Sequence, residues 1–224
     1  MGLQTCGDER VLLYCAFCGG ETGTRDHCPS KALLERPYPE NLPVVPACRQ
    51  CNATFSTDEE YLACLLSCVL AGSTDPDTVS RPSVKRSLQH SAALRARIER
   101  SRQEGDGRVT FNPEHERVIS IVTKLAQGHA LYELHEPCPT TPKVVWATPL
   151  ALLTEADLQA FESPDSPTVW PEVGSRAMQR LVVCGEIESP WVVVQPGMYR
   201  YLALPGTVVH IVIQEYLAGY ACWD

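Results

Sequence analysis

Apolar residues recur at helical spacing in three places. Tyr61, Leu62, Leu65, Leu66 and Val69 fall three and four apart, which lays one buried stripe along a helix. The preceding Ser56-Thr57-Asp58-Glu59-Glu60 predicts its start. Thr57 and Glu60 have capping-box spacing, and Asp58 and Glu59 suit the positive end of the helix dipole. Gly72 predicts its stop. A weaker stripe, Val84, Leu88, Ala92 and Ile98, predicts a second helix over about 83–103, closed by Gly105 and Gly107. Asn112-Pro113-Glu114 opens a third helix, with a cap followed by proline at the first position. Val118, Ile121, Val122 and Leu125 form its buried face, and Gly128 is its expected stop. Further on, Thr154-Glu155-Ala156-Asp157 caps a short helix, and Pro171–Leu181 predicts another. Trp191–Gln195, Met198–Leu204 and Thr207–Glu215 read as strands separated by Pro196-Gly197 and Pro205-Gly206 turns.

These elements predict an α+β chain in three parts. Residues 1–72 form an N-terminal module, 73–110 a linker with a basic helix, and 111–224 an α+β domain with a small antiparallel sheet. Inside the first part, Pro37, Pro39, Pro43 and Pro46 forbid a helix between Cys18 and Cys48. Short strands and an extended loop are expected there, with Val44-Val45 in one strand.

Composition is that of a soluble globular protein: 44% hydrophobic and 21% charged over 224 residues. Residues 1–14 lack the basic start and apolar core of a signal peptide. The most apolar run, Tyr61 to Ala71, is too short to span a bilayer. A cytoplasmic location without membrane contact is expected. The net charge of −8 argues against general nucleic-acid binding. The charge is uneven, however. Residues 1–110 carry 13 Lys/Arg against 14 Asp/Glu, and residues 111–224 carry 6 against 13. Eight basic residues (Arg81, Lys85, Arg86, Arg95, Arg97, Arg100, Arg102, Arg108) form a strip that can meet phosphates or can simply be a solvated face.

The candidate chemistry lies in the first quarter. Cys15-Ala16-Phe17-Cys18 and Cys48-Arg49-Gln50-Cys51 are two Cys-x-x-Cys pairs. At that spacing two thiolates from one tight knuckle reach one metal ion, and two knuckles complete a four-sulfur zinc site. The other seven of the 11 cysteines show no disulfide-framework spacing, so a reducing compartment is expected. Cys64 and Cys68 lie four apart on the first helix and are expected in its core. Between the pairs stand Asp26-His27 and Asn41-Leu42, and Asn52 follows the second pair. A carboxylate, an imidazole and two carboxamides can build a second, catalytic metal site. His27 has the neutral-pH titration range of a general base.

Asp26-His27, Asn41-Leu42 and Cys-x-x-Cys-Asn, with the upstream Cys-x-x-Cys, resemble the HNH endonucleases in their zinc-bearing ββα-metal form. The match is dense over residues 15–60. The resemblance implies that His27 deprotonates the attacking water, that Asp26 and Asn52 bind a catalytic Mg²⁺ or Mn²⁺, and that Asn41 braces the loop and orients His27. It also implies a structural Zn²⁺ on Cys15, Cys18, Cys48 and Cys51. Two departures stand out: the last motif position is Asn52 rather than histidine, and Cys28 occupies a place that is usually apolar. Arg25 and Arg49, beside the motif residues, are the candidate phosphate contacts.

The expected activity is therefore metal-dependent hydrolysis of DNA phosphodiester bonds, with a defence role as a family-level expectation. RNA is the alternative substrate. The rival reading is a zinc-binding interaction module that binds nucleic acid or protein without cutting. The acidic residues 111–224 are expected to regulate, to set specificity, to recruit a protein partner or to self-associate.

Overall fold

The computed structural model describes residues 9–105, 107–164, 169–184 and 191–224. The chain divides into two compact units, Met1–Ala53 with Val122–Asp224, and Thr54–Ile121. These divisions fall inside two helices and not at 72 and 110, where the composition changes. An amphipathic helix can run through a change of surrounding structure without a linker to mark it.

In the first unit, β1 (Thr24–His27) pairs antiparallel with β2 (Val44–Ala47), with Asp26 opposite Val45 and His27 opposite Val44. The chain between them is extended apart from one 3₁₀ turn, Lys31–Leu33, capped by the Ser30 hydroxyl. Leu33 and Leu34 bury this loop. Helix α1 (Arg49–Ala71) follows β2 directly. It starts seven residues before the Ser56 start that the capping box predicted, because the cap is sulfur. The Cys51 N–H donates to Cys48 Sγ at 3.3 Å, and the Asn52 N–H donates to the Cys48 carbonyl. Thr57, expected as a cap, lies inside the helix with its hydroxyl on the Thr54 carbonyl. At the other end, Gly72 has φ +64, its N–H reaches Val69, and the Ser73 N–H reaches Cys68. That is the Schellman closure expected of this glycine.

The second unit contains most of α1, α2 (Pro82–His90), α3 (Ala92–Ser101) and the hairpin β3 (Arg102–Gly105) with β4 (Arg108–Phe111). The single helix expected over 83–103 is thus broken. Ser91 turns the chain and caps α3 by accepting from the Leu94 N–H. The hairpin was not foreseen, because both strands are four residues long and largely exposed and β3 is polar. Tyr61, Leu62, Leu65, Leu66, Val84, Leu88, Ile98, Val118 and Ile121 are buried as expected. Burial pushes the Cys64 thiol up to about 12 and the Cys68 thiol up to about 11, so both are inert core groups. Asp58 pairs with Arg117 at 3.3 Å, and Arg117 also lies over the Tyr61 ring. Much of the basic strip is likewise engaged: Lys85 with Asp77, Arg97 with Glu114, and Arg102 with Glu99 and Glu104.

Helix α4 (His115–His129) runs past Gly128, the expected stop, into one π-helical turn, Ala130–Leu134. His135, with φ 60, ends it. Gly128 serves close approach instead. A Cβ there would lie 2.5 Å from Cys28 Sγ, which itself donates to the Leu125 carbonyl. Gly128→Ala is expected to cost about 1–3 kcal/mol of stability through overpacking. The readout is a lower denaturant midpoint at unchanged slope, and Cys28→Ala in the same chain should recover much of the loss.

The rest of the first unit is a five-stranded antiparallel sheet of β5 (Val144–Pro149), β6 (Val192–Gln195), β7 (Tyr199–Leu204), β8 (Val208–Ile213) and β9 (Leu217–Cys222) in the order β5-β9-β8-β7-β6. The antiparallel sheet is larger than expected. Strands β6–β8 match the three read from sequence. β5 and β9 were not read as strands from sequence; β9 buries one face fully and the other only in part. Helix α5 (Glu155–Glu162), capped by Thr154, sets Phe161 against Val212 and Ala218. Helix α6 covers Arg176–Cys184. Among the described residues no helix is long and apolar enough to cross a membrane.

His129 sits at the junction of α4 and this sheet and is fully buried. Its Nε2 hydrogen-bonds with the Tyr199 hydroxyl at 2.7 Å, and its ring stacks on Tyr201. Tyr201 donates to Glu133, which pairs with Arg180. Burial holds His129 down to about 3, so the folded protein keeps it neutral. Unfolding frees it to take a proton near the ordinary value of 6.5. Its contribution is therefore complete above about pH 6.5 and declines by about 1.4 kcal/mol per pH unit as pH falls toward 3. Denaturant midpoints across that range should fall more steeply for wild type than for His129→Gln.

Candidate metal centre and neighbouring polar site

The first knuckle is a tight turn closed by backbone. The Cys15 N–H donates to Gly20 O at 2.7 Å and the Gly19 N–H to Cys15 O at 2.9 Å. It is fixed to the β1–β2 ribbon, because the Ala16 N–H donates to Pro46 O and the hydroxyls of Thr22 and Thr24 donate to Ala47 O. Gln127 of α4 donates from its amide to the carbonyls of Phe17 and Cys138. The second knuckle is the first turn of α1. The sulfurs of Cys15, Cys18, Cys48 and Cys51 lie within 4.8 Å of one another, with Cys18 and Cys48 at 3.8 Å. Tetrahedral zinc with Zn–S bonds of about 2.3 Å places its sulfurs about 3.8 Å apart. The four cysteines are therefore close enough to bind one metal ion such as zinc. The hydrogen bond from the Cys51 backbone N–H pulls the Cys48 thiol down to about 7, whereas burial pushes the Cys51 thiol well up.

Next to this cluster, β1 carries Asp26 and His27 on opposite sides, as alternation along a strand requires. The Asp26 carboxylate faces α4. Its Oδ2 lies 2.6 Å from Nζ of Lys124, and the two side chains are only 11% and 2% exposed. The Lys124 ammonium also stands over the Phe17 ring at 5.4 Å. His27 is half-buried, and its Nδ1 has no hydrogen-bond partner. Burial, then the charge of Lys31, lowers its pKa, against smaller upward pulls from Asp26 and the Pro43 carbonyl. His27 is thus a neutral imidazole at pH 7.

Asn52 ties the pieces together. Its Nδ2 donates to Thr24 Oγ1 and to the Arg25 carbonyl, both at 3.3 Å. That orientation leaves its carboxamide oxygen to accept or to ligate. Asn41 stands apart: it is exposed in the turn before β2 and makes no side-chain hydrogen bond among the described residues. The bracing of His27 expected of it is not formed, because the turn faces solvent. Arg25 and Arg49 are both exposed, on β1 and at the start of α1.

Lys124 was not picked out from sequence, although it carries a signal. It lies three residues after Ile121 and one before Leu125, on the apolar side of α4, where a charge needs a partner. Its partner is 98 positions away in sequence, beyond any local pattern. Comparison with protein-family models, with curated proteins and with solved structures finds no match to this chain.

Proposed function

We propose that this chain is an HNH-type endonuclease. It hydrolyses DNA phosphodiester bonds with a divalent cation held by Asp26 and Asn52 and with His27 as general base. The observation that carries this reading is the coupling of Asn52 to β1. Its bonds to Thr24 and Arg25 join the helix turn bearing the cysteine knuckle to the strand bearing Asp26 and His27. A carboxylate and a carboxamide oxygen are the hard donors that Mg²⁺ or Mn²⁺ takes, with water and phosphate completing the shell. A divalent ion bound there would supply positive charge to the scissile phosphate and to the departing oxygen.

The residues of the chain do the rest. Neutral His27 takes a proton from a water as the water oxygen attacks phosphorus. The bond to the 3′ oxygen breaks, and that oxygen leaves and is protonated from solvent, giving a 5′-phosphate end. Arg25 and Arg49 are exposed beside these residues and suit backbone phosphates. The four-cysteine site holds the scaffold and takes no part in the chemistry. The acidic residues 111–224 disfavour DNA on their own surface, which fits a regulatory or partner-recruiting role for them.

A second reading is a zinc-stabilised module that binds without cutting. The Asp26–Lys124 pair favours it, since a lysine already neutralises the proposed ligand. Zinc-loaded protein incubated with supercoiled plasmid and Mg²⁺ or Mn²⁺ separates the two. The nuclease reading expects nicked circles that vanish with a chelator too weak to strip the cysteine site. Binding with no divalent-dependent nicking, on DNA and on structured RNA alike, is the outcome of the second reading.

A further inference from the structure

We propose that Lys124 is a positioning residue that contests Asp26 with the catalytic cation, so that the cation is held weakly until a phosphate arrives; this rests on the nuclease reading above. The geometry is specific. Lys124 projects from α4, its side chain is 2% exposed, and its Nζ lies 2.6 Å from Asp26 Oδ2. The stem is fixed by its surroundings: the next residue, Leu125, is fully buried, and the ammonium stands over Phe17 between the two cysteines of the first knuckle. A lysine held this way cannot swing into water without leaving the buried face of its helix. It therefore stays beside Asp26 when a second cation binds.

Two cations on one carboxylate repel each other, and the repulsion is strongest where water is scarce. A scissile phosphate changes the balance, because its oxygens bring negative charge to both cations at once. The divalent ion then gains a ligand, and the phosphate charge offsets the repulsion between the two cations. Lys124 in this way makes cation and phosphodiester bind together, and it fixes the Asp26 carboxylate in its cation-facing orientation while the site waits. The ion pair is more than a structural plug on this view, and its removal has an effect opposite to that of removing an ordinary buried partner.

The test is Mn²⁺ affinity, read by titration calorimetry or electron paramagnetic resonance on zinc-loaded full-length protein without nucleic acid. Wild type, Asp26→Asn, Lys124→Met and Lys124→Gln are compared. Zinc content and melting temperature confirm folding, and the glutamine variant keeps a neutral donor toward Asp26 should the methionine variant fail to fold. The expected result is weak binding in wild type, loss in Asp26→Asn, and binding tighter by about tenfold or more in a Lys124 variant. Loss in Asp26→Asn with unchanged or weaker binding in the Lys124 variants overturns the inference and leaves the nuclease reading standing. Equal Mn²⁺ binding in wild type and Asp26→Asn, or none in any variant, overturns the nuclease reading itself.

Discussion

Cys48→Ser is expected to lose its zinc and to melt at least about 10 °C below wild type. The residue does two things at once, and serine replaces only one of them. As the cap of α1, Cys48 accepts the Cys51 N–H through sulfur. A serine hydroxyl is among the best groups for that purpose, so the start of the helix should survive. As one of four sulfurs within 4.8 Å of one another, it has no such substitute. A hydroxyl is a poor zinc ligand at neutral pH, because the metal takes deprotonated donors. Structural zinc sites contribute apparent binding energies of about 10–16 kcal/mol, and a whole domain is stable by only about 5–15 kcal/mol. Losing even part of that exceeds what the few buried side chains of the bracketed segment can replace, chiefly Phe17, Leu33, Leu34 and Val45. Each kcal/mol lost moves the midpoint of a chain this long by about 2–4 °C. Metal analysis by mass spectrometry and a thermal melt, run together, read the result. Equal zinc content and equal melting temperature in mutant and wild type would remove the structural-zinc assignment.

The cysteine cluster was legible because its information is local. Three peptide units between the two thiols of each Cys-x-x-Cys limit how far apart the sulfurs can be, whatever the rest of the chain does. The antiparallel strands β6–β8 were legible for a similar reason: β-branched and aromatic runs and the proline-glycine turns between them are short-range signals. What the sequence hid depends on partners. The start of α1 was misplaced because a sulfur cap lies outside the serine, threonine, aspartate and asparagine vocabulary by which helix starts are recognised. Gly128 looked like a stop because its need for a bare Cα comes from Cys28, 100 positions earlier. β9 gave little strand signal because Ala218, Gly219 and Ala221 are poor strand formers. Lys124 looked like an ordinary basic residue of an amphipathic helix, and only the packing of α4 against β1 makes it the partner of Asp26. The same distinction runs through the candidate site. Residue types and order suggested Asp26, His27, Asn41 and Asn52 together. The fold couples three of them to one ribbon and one helix turn, and leaves Asn41 in a turn that faces solvent.

His27→Ala is expected to lower divalent-dependent nicking by about 10²–10⁴-fold, the usual contribution of a positioned general base. Zinc content and melting temperature should stay at the wild-type values, because the ring is half-exposed and its Nδ1 holds no hydrogen bond that folding needs. This pattern is the reverse of the Cys48→Ser pattern, in which metal, stability and activity fall together. Two further variants separate a chemical role from a merely steric one. His27→Gln keeps a polar side chain of similar reach but has no site that accepts a proton near neutral pH, so it should be as inactive as alanine. Added imidazole should restore part of the rate to His27→Ala, where the space for it exists, and none to His27→Gln. The assay is initial-rate conversion of supercoiled to nicked plasmid at fixed Mg²⁺, with bound DNA measured alongside so that lost cutting is not mistaken for lost binding. Unchanged nicking in His27→Ala would take His27 out of the reaction. It would leave the four-cysteine site intact as a structural centre, and the search for the base would move to whatever else can reach a water beside Asp26.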